Sequence, residues 1–203
     1  MSAAAPMCRR RSLLGWPLAA GALLAAGLPA VAAGRPGLSP AALALSVGGM
    51  AFTHRWSRDG QHEFTPAGDE DLTAWRDMLT LNLHDGVRSG ESLAVLANAV
   101  LARYRDHGKV LATRSVPQTA SQPAEHLIVA VLGQPKFLEA AFARLKLHDG
   151  AGVVAVRSHR VYGQAAGPEM SRWLAAEGAR TEQALMTWTQ LPPLSRLQNL
   201  PRS

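Results

Sequence analysis

Residues 125–163 contain three extended segments in immediate succession, and no other feature constrains the fold as tightly. The first, EHLIVAVLG (residues 125–133), is a β-branched run closed off by Pro123 and Pro135. It reads as a central strand, because proline cannot donate to a ladder and marks where pairing stops. The second, KFLEAAFARLKLH (residues 136–148), has the Ala, Leu and Glu content of a helix, yet Arg144, Lys146 and His148 alternate with Ala143, Leu145 and Leu147. Asp149-Gly150-Ala151-Gly152 then forms a turn that feeds directly into VVAVRSHRVYG. A turn between two period-two segments makes the middle one a strand as well.

Upstream, Leu79, Leu81 and Leu83 alternate with Thr80, Asn82 and His84, the pattern of a half-buried strand. Between this strand and the three-strand run, the spacing of Leu93, Leu96, Ala97, Val100, Leu101 and Tyr104 predicts a helix from Gly90 to His107. Ser89 supplies the N-cap, Glu91 an anion in the first turn, and Gly108 the expected left-handed C-terminal residue. A second helix is expected from Pro168 to about Trp188, anchored by Trp173, Leu174, Leu185 and Trp188. A short helical turn is expected over Asp69 to Trp75.

The stretch HRWSRDGQHEF, residues 54–64, concentrates two histidines with Asp59 and Glu63, which raises the question of a metal or acid–base site. A three-residue loop, Arg58-Asp59-Gly60, would set Trp56 opposite His62, Arg55 opposite Glu63, His54 opposite Phe64 and Ser57 opposite Gln61. Aromatic and charged residues then separate cleanly onto two faces, whereas a two-residue Asp59-Gly60 loop mixes them. In the three-residue register His54 and His62 are diagonal neighbours roughly 7 to 8 Å apart. They are the candidate metal ligands, but a tight zinc site takes three or four protein ligands and no third lies nearby. Adjacent Ser158 and His159 point to opposite faces of a strand and do not form a nucleophile–base pair. The run Gly68-Asp69-Glu70-Asp71 reads as the negative first turn of a helix, and Arg103, Arg105, His107 and Lys109 as basic groups at a helix C-terminus. No catalytic residue, cofactor site or complete metal site is assigned.

The first 33 residues carry a different message. Arg9, Arg10 and Arg11 precede an apolar run from Leu13 to Leu28, followed by Pro29-Ala30-Val31-Ala32-Ala33. This is the three-part plan of a signal peptide with a small-residue cleavage site, favoured after Ala33. Arg10-Arg11 before Ser12-Leu13-Leu14 resembles a twin-arginine export motif, and the general secretory route remains an alternative. The organisation expected is a signal peptide (1–33), a linker (34–45), one domain (46–190) and a poorly ordered tail (191–203) with three prolines. Cleavage would leave a chain that is not an integral membrane protein. It would also remove the single cysteine, Cys8, and with it disulfides, thiol catalysis and thiolate metal sites. The whole chain has 21 Lys+Arg against 15 Asp+Glu; without the three signal arginines the excess is +3. That charge is spread along the chain, so nucleic acid is not an expected partner.

The order of elements is hairpin, short helix, strand, long helix, three strands and closing helix. With the progression from Phe64-Thr65-Pro66 through Trp75 to Leu79-Thr80-Leu81, it resembles the PsbP, Mog1 and DcrB-like group over residues 46–190. The resemblance implies an α+β fold, a largely antiparallel sheet with helices on both faces (an α/β/α sandwich), and an accessory or binding role. The functional expectation is an exported periplasmic non-enzymatic protein that binds an unknown protein or small ligand through one face of its sheet. Two alternatives stay open: a small metal-dependent or histidine-based hydrolase using His54, His62 and His159, and a structural envelope component.

Overall fold

This computed structural model describes residues 43–119 and 122–202. Arg10, Arg11 and Ala33 of the expected signal lie outside the described residues. The elements in chain order are β1 (Ala44–Val47), β2 (Met50–Arg58), β3 (Gln61–Thr65), β4 (Asp77–His84), α1 (Gly90–His107), β5 (Gly108–Val116), β6 (Glu125–Gln134), β7 (Phe137–His148), β8 (Ala151–Tyr162), α2 (Ala166–Trp173), a π-helical turn (Leu174–Gly178), α3 (Ala179–Thr187) and α4 (Leu194–Gln198).

The eight strands make one sheet in the order β1-β2-β3-β4-β8-β7-β6-β5, antiparallel at each pairing. Two antiparallel meanders, β1–β4 and β5–β8, thus meet at the β4–β8 ladder. Alternation decides what lies on each face. Leu93, Ala97, Val100 and Tyr104 of α1 pack on Ile128, Ala130, Ala141, Ala143, Leu145 and Val154. On the other face Met170, Leu185, Trp188 and Leu197 cover Phe52, Phe64, Leu79, Leu81, Val129 and Phe142. The protein is an α+β layered fold with helices on both sides of an antiparallel sheet.

Helix α1 has the expected bounds, with Ser89 and Ser92 closing a reciprocal capping box. Its C-terminus differs. Gly108 has an extended backbone and opens β5 at once. Glycine is needed there because an added Cβ would lie 2.8 Å from Leu132 Cα. Strand β5 itself was not foreseen, nor was β1.

Four other expectations need correction. Leu43 and Leu45, expected within the linker 34–45, are buried in the core, and β1 starts at Ala44. Residues 69–75 form turns in place of a helix. Asp71 accepts from the Thr73 backbone and hydroxyl, and Asp69 from the Asp77 backbone; such local bonds compete with helix formation. The second helical stretch starts at Ala166, ahead of Pro168. The tail is packed, with Leu191, Leu194 and Leu197 buried. No helix among the described residues is long and apolar enough to cross a membrane.

The β2–β3 hairpin corrects the predicted register. Arg58 pairs with Gln61, Ser57 with His62, and Trp56 with Glu63, so the loop is the two-residue Asp59-Gly60. Both residues have positive φ, 49° and 82°, as a type I′ turn requires. Register is lost between His54 and Trp56, where Arg55 is the extra residue of a β-bulge. The bulge restores the predicted pairing of His54 with Phe64, a resolution that treating each strand as regular could not reach. Gly60 is strained for any L-residue, and a Cβ there would stand 3.3 Å from the Leu83 carbonyl oxygen. Gly60→Ala is expected to cost about 1 to 2 kcal/mol, read from urea denaturation midpoints; an unchanged midpoint would contradict the turn geometry.

Candidate functional site

Residues three apart on a regular strand face opposite ways. The bulge at Arg55 cancels that rule, so His54 and Ser57 emerge on one face, and pairing places His62 beside Ser57. The Ser57 hydroxyl oxygen lies 2.7 Å from His54 Nε2 and 2.8 Å from His62 Nδ1. The His54 ring meets Phe64 edge to face at 5.4 Å. The two histidines singled out by sequence are therefore joined through a serine whose own strand carries no mark of that role.

Burial orders the protons. It lowers the His54 pKa, opposed by a hydrogen bond to the Trp56 backbone. The Ser57 hydroxyl can donate to one ring and accept from the other, the roles following the tautomers of the two imidazoles. His62 Nε2 is buried with no hydrogen-bond partner. Burial, helped by the neighbouring His54, pulls the His62 pKa down to about 4. His62 is thus neutral near pH 7 and only 4% exposed.

Ser57 and His62 form part of the wall of a cavity of about 340 Å³. Arg58 and Gly60 border it from the hairpin, Asp85 from the end of β4, and Gln198 and Arg202 from the C-terminal segment. The segment expected to be poorly ordered therefore supplies one side of the site. It is fixed there by His148 Nε2, 3.0 Å from the Pro192 carbonyl, and by Asp149, which accepts from the Leu194 backbone at 3.1 Å.

His159 does not join this group. It stands on β8, with β3 and β4 between it and β2, roughly 14 Å away by strand spacing. Its Nδ1 lies 3.0 Å from Asp77 Oδ1, which also accepts from Arg157 Nη2 at 2.7 Å. The imidazole stacks on Trp173 with centroids 4.1 Å apart and planes 4° from parallel, immediately before the π-helical turn. Asp77 has a lowered pKa: the bonds from His159 and Arg157 outweigh a burial effect of opposite sign that is the largest single influence. Neither Asp77 nor Arg157 was singled out by sequence, because their pairing spans 80 residues. Ser158 is buried and, as expected, faces the other side of the sheet. Among the described residues, no group of three or more His, Cys, Asp or Glu is arranged to hold a metal ion.

The sequence matches no protein-family model and no curated protein. Among solved structures, it is similar to the Saccharomyces cerevisiae Ran-binding protein Mog1p. That likeness has 14% identity and a TM-score of 0.41, covering 68% of this chain and 87% of the other. Human STARD10 is more distant, at 10% identity and a TM-score of 0.29, over 73% of this chain and 76% of that one. A likeness to the PsbP, Mog1 and DcrB-like group was expected from the element order, and the layered architecture itself is established by this chain's own sheet and helices.

Proposed function

We propose that the chain is an exported periplasmic accessory protein that binds a small ligand on the sheet face carrying the His54–Ser57–His62 chain, and that it is not an enzyme. The observation that carries this reading is the cavity of about 340 Å³ walled in part by Ser57 and His62, whose Nε2 is buried without a hydrogen-bond partner. A buried polar atom without a partner costs on the order of 1 to 3 kcal/mol, and a bound ligand that supplies the partner removes that cost. The hydrolase alternative asks more of these groups than their geometry offers. Ser57 is 3% exposed and its hydroxyl is shared between two imidazoles, neither of which contacts a carboxylate that would orient it as a base among the described residues. Export is supported by Arg10-Arg11, the apolar run and the Ala33 site in the sequence.

The test is native mass spectrometry of protein recovered from the periplasmic fraction. The expected result is a mature chain starting near Ala33 or Gly34, carrying a small-molecule adduct that His62→Gln loses. Esterase activity towards p-nitrophenyl acetate that disappears in Ser57→Ala would overturn the reading in favour of catalysis.

A further inference from the structure

Strand β5 closes one end of the sheet, far along the strand order from the His54–Ser57–His62 group, and none of its nine residues is buried. Among the described residues, no segment besides β6 forms backbone hydrogen bonds with residues 110–116. Register decides which backbone groups are left over. Gln134 with Phe137 and His148 with Ala151 close two-residue turns at the two ends of β7, so both pairs are hydrogen-bonded. Each of them assigns the backbone groups of the odd-numbered residues of β7 to β6. Alternation then turns those of Glu125, Leu127, Val129 and Val131 of β6 towards β5, where they meet Val116, Arg114, Ala112 and Lys109. The amides and carbonyls of Val110, Thr113 and Ser115 consequently point away from the sheet.

We infer that this edge receives an extended acidic segment of another protein, which adds to the sheet as a further strand. In such pairing the backbone groups supply the affinity and alternate side chains the selectivity. Charge selects the occupant. Residues 103–116 carry Arg103, Arg105, Lys109 and Arg114 against Asp106 alone, and positive charge stays in excess even with Arg114 paired to Glu182 at 2.9 Å. A second copy pairing edge to edge would bring two such sets of cations together, which is unfavourable. The opposite edge, β1, has four residues and offers a shorter ladder. Bulges and lysines also guard edges against pairing, but a guarded edge has no use for Leu111, the extra residue of the β5 bulge, standing 44% exposed. A concavity of about 500 Å³ lies against the same stretch, lined by Arg105 and residues 108–113.

The experiment is fluorescence anisotropy of the whole mature protein with a labelled peptide of about eight alternating glutamate and valine residues, beside its lysine–valine counterpart. Amide hydrogen exchange of the free and bound protein is followed in parallel. The expected result is saturable binding of the acidic peptide below about 1 mM, with the basic one at least about tenfold weaker. The Val110, Thr113 and Ser115 amides are expected to become protected on binding, while those of Lys109 and Arg114 exchange slowly in both states. Thr113→Pro removes one outward amide and none from the β5–β6 ladder, a place where an edge strand accepts proline. It is expected to weaken the peptide about tenfold while thermal unfolding stays cooperative; if the variant does not fold, the wild-type exchange pattern decides. No saturation by the acidic peptide, equal binding of the basic one, or protection gained only outside β5 would overturn the inference. So would outward amides that already exchange slowly in the free protein, since the chain's own residues would then occupy the edge.

Discussion

Replacing Arg144 with alanine is expected to lower the unfolding free energy by about 3 to 5 kcal/mol. The side chain is 5% exposed and contacts Glu125 Oε2 through both Nε, at 2.8 Å, and Nη2, at 2.7 Å. Its Nη1 donates to the Leu185 and Trp188 carbonyls at 2.8 and 2.7 Å. Those carbonyls lie at the C-terminal end of α3, where Leu185 also accepts from the Trp188 amide and the helix runs out of amides of its own. One guanidinium therefore balances a buried carboxylate and caps a helix that packs on its own face of the sheet. Truncation leaves Glu125, itself 4% exposed, with only Lys146 at 3.2 Å. Urea unfolding measures the loss, and a change below about 1 kcal/mol would contradict the assigned role. A double variant, Arg144→Met with Glu125→Leu, is expected to recover part of the loss, because it removes the stranded charge.

The second large effect is a loss of stability in mild acid. In the folded state His62 stays unprotonated down to about pH 4, against an ordinary value of 6.5. Between those values the unfolded chain binds a proton that the folded chain refuses, so stability rises with pH. Its contribution is complete above about pH 6.5 and is lost as the pH falls towards 4, by on the order of 2 to 3 kcal/mol. His54 and His84, whose pKa values burial also lowers, act in the same direction. Glu63 opposes them, since burial raises its carboxyl pKa. The informative quantity is accordingly the difference between wild type and His62→Gln. The variant's stability is expected to fall less steeply between pH 6.5 and 4 in denaturant titrations, and parallel slopes would contradict the buried neutral histidine.

Elements with strong internal periodicity were readable in advance. The α1 face, the leucine alternation of β4 and the β6–β8 run each carry their burial pattern within the segment. What escaped notice depends on partners remote in sequence. The alternation of Arg144, Lys146 and His148 marked β7 correctly as a strand, but those residues do not simply face water: they receive Glu125 and the C-terminal segment. The prolines from Leu191 onward suggested disorder because no local pattern announces that Leu194 and Leu197 drop into the core. At the candidate site, His54 and His62 were noticed for their chemistry. Ser57 was not, because the bulge that turns it towards them is a property of the paired strands and has no signature in either one alone.

The junction of the two meanders also bears on how the protein assembles. Each meander is stitched by neighbouring strands, several through tight turns, whereas Asp77 and His159 at the end of the β4–β8 ladder are 82 residues apart. Closing so long a loop costs chain entropy before any pairing repays it. During synthesis β4 presents an open edge along eight residues until residues 151–162 have emerged, and unpaired edges invite association with other chains. The last strand made is therefore the one that seals the sheet. The nascent chain's exposure to misassembly ends only when its C-terminal third arrives.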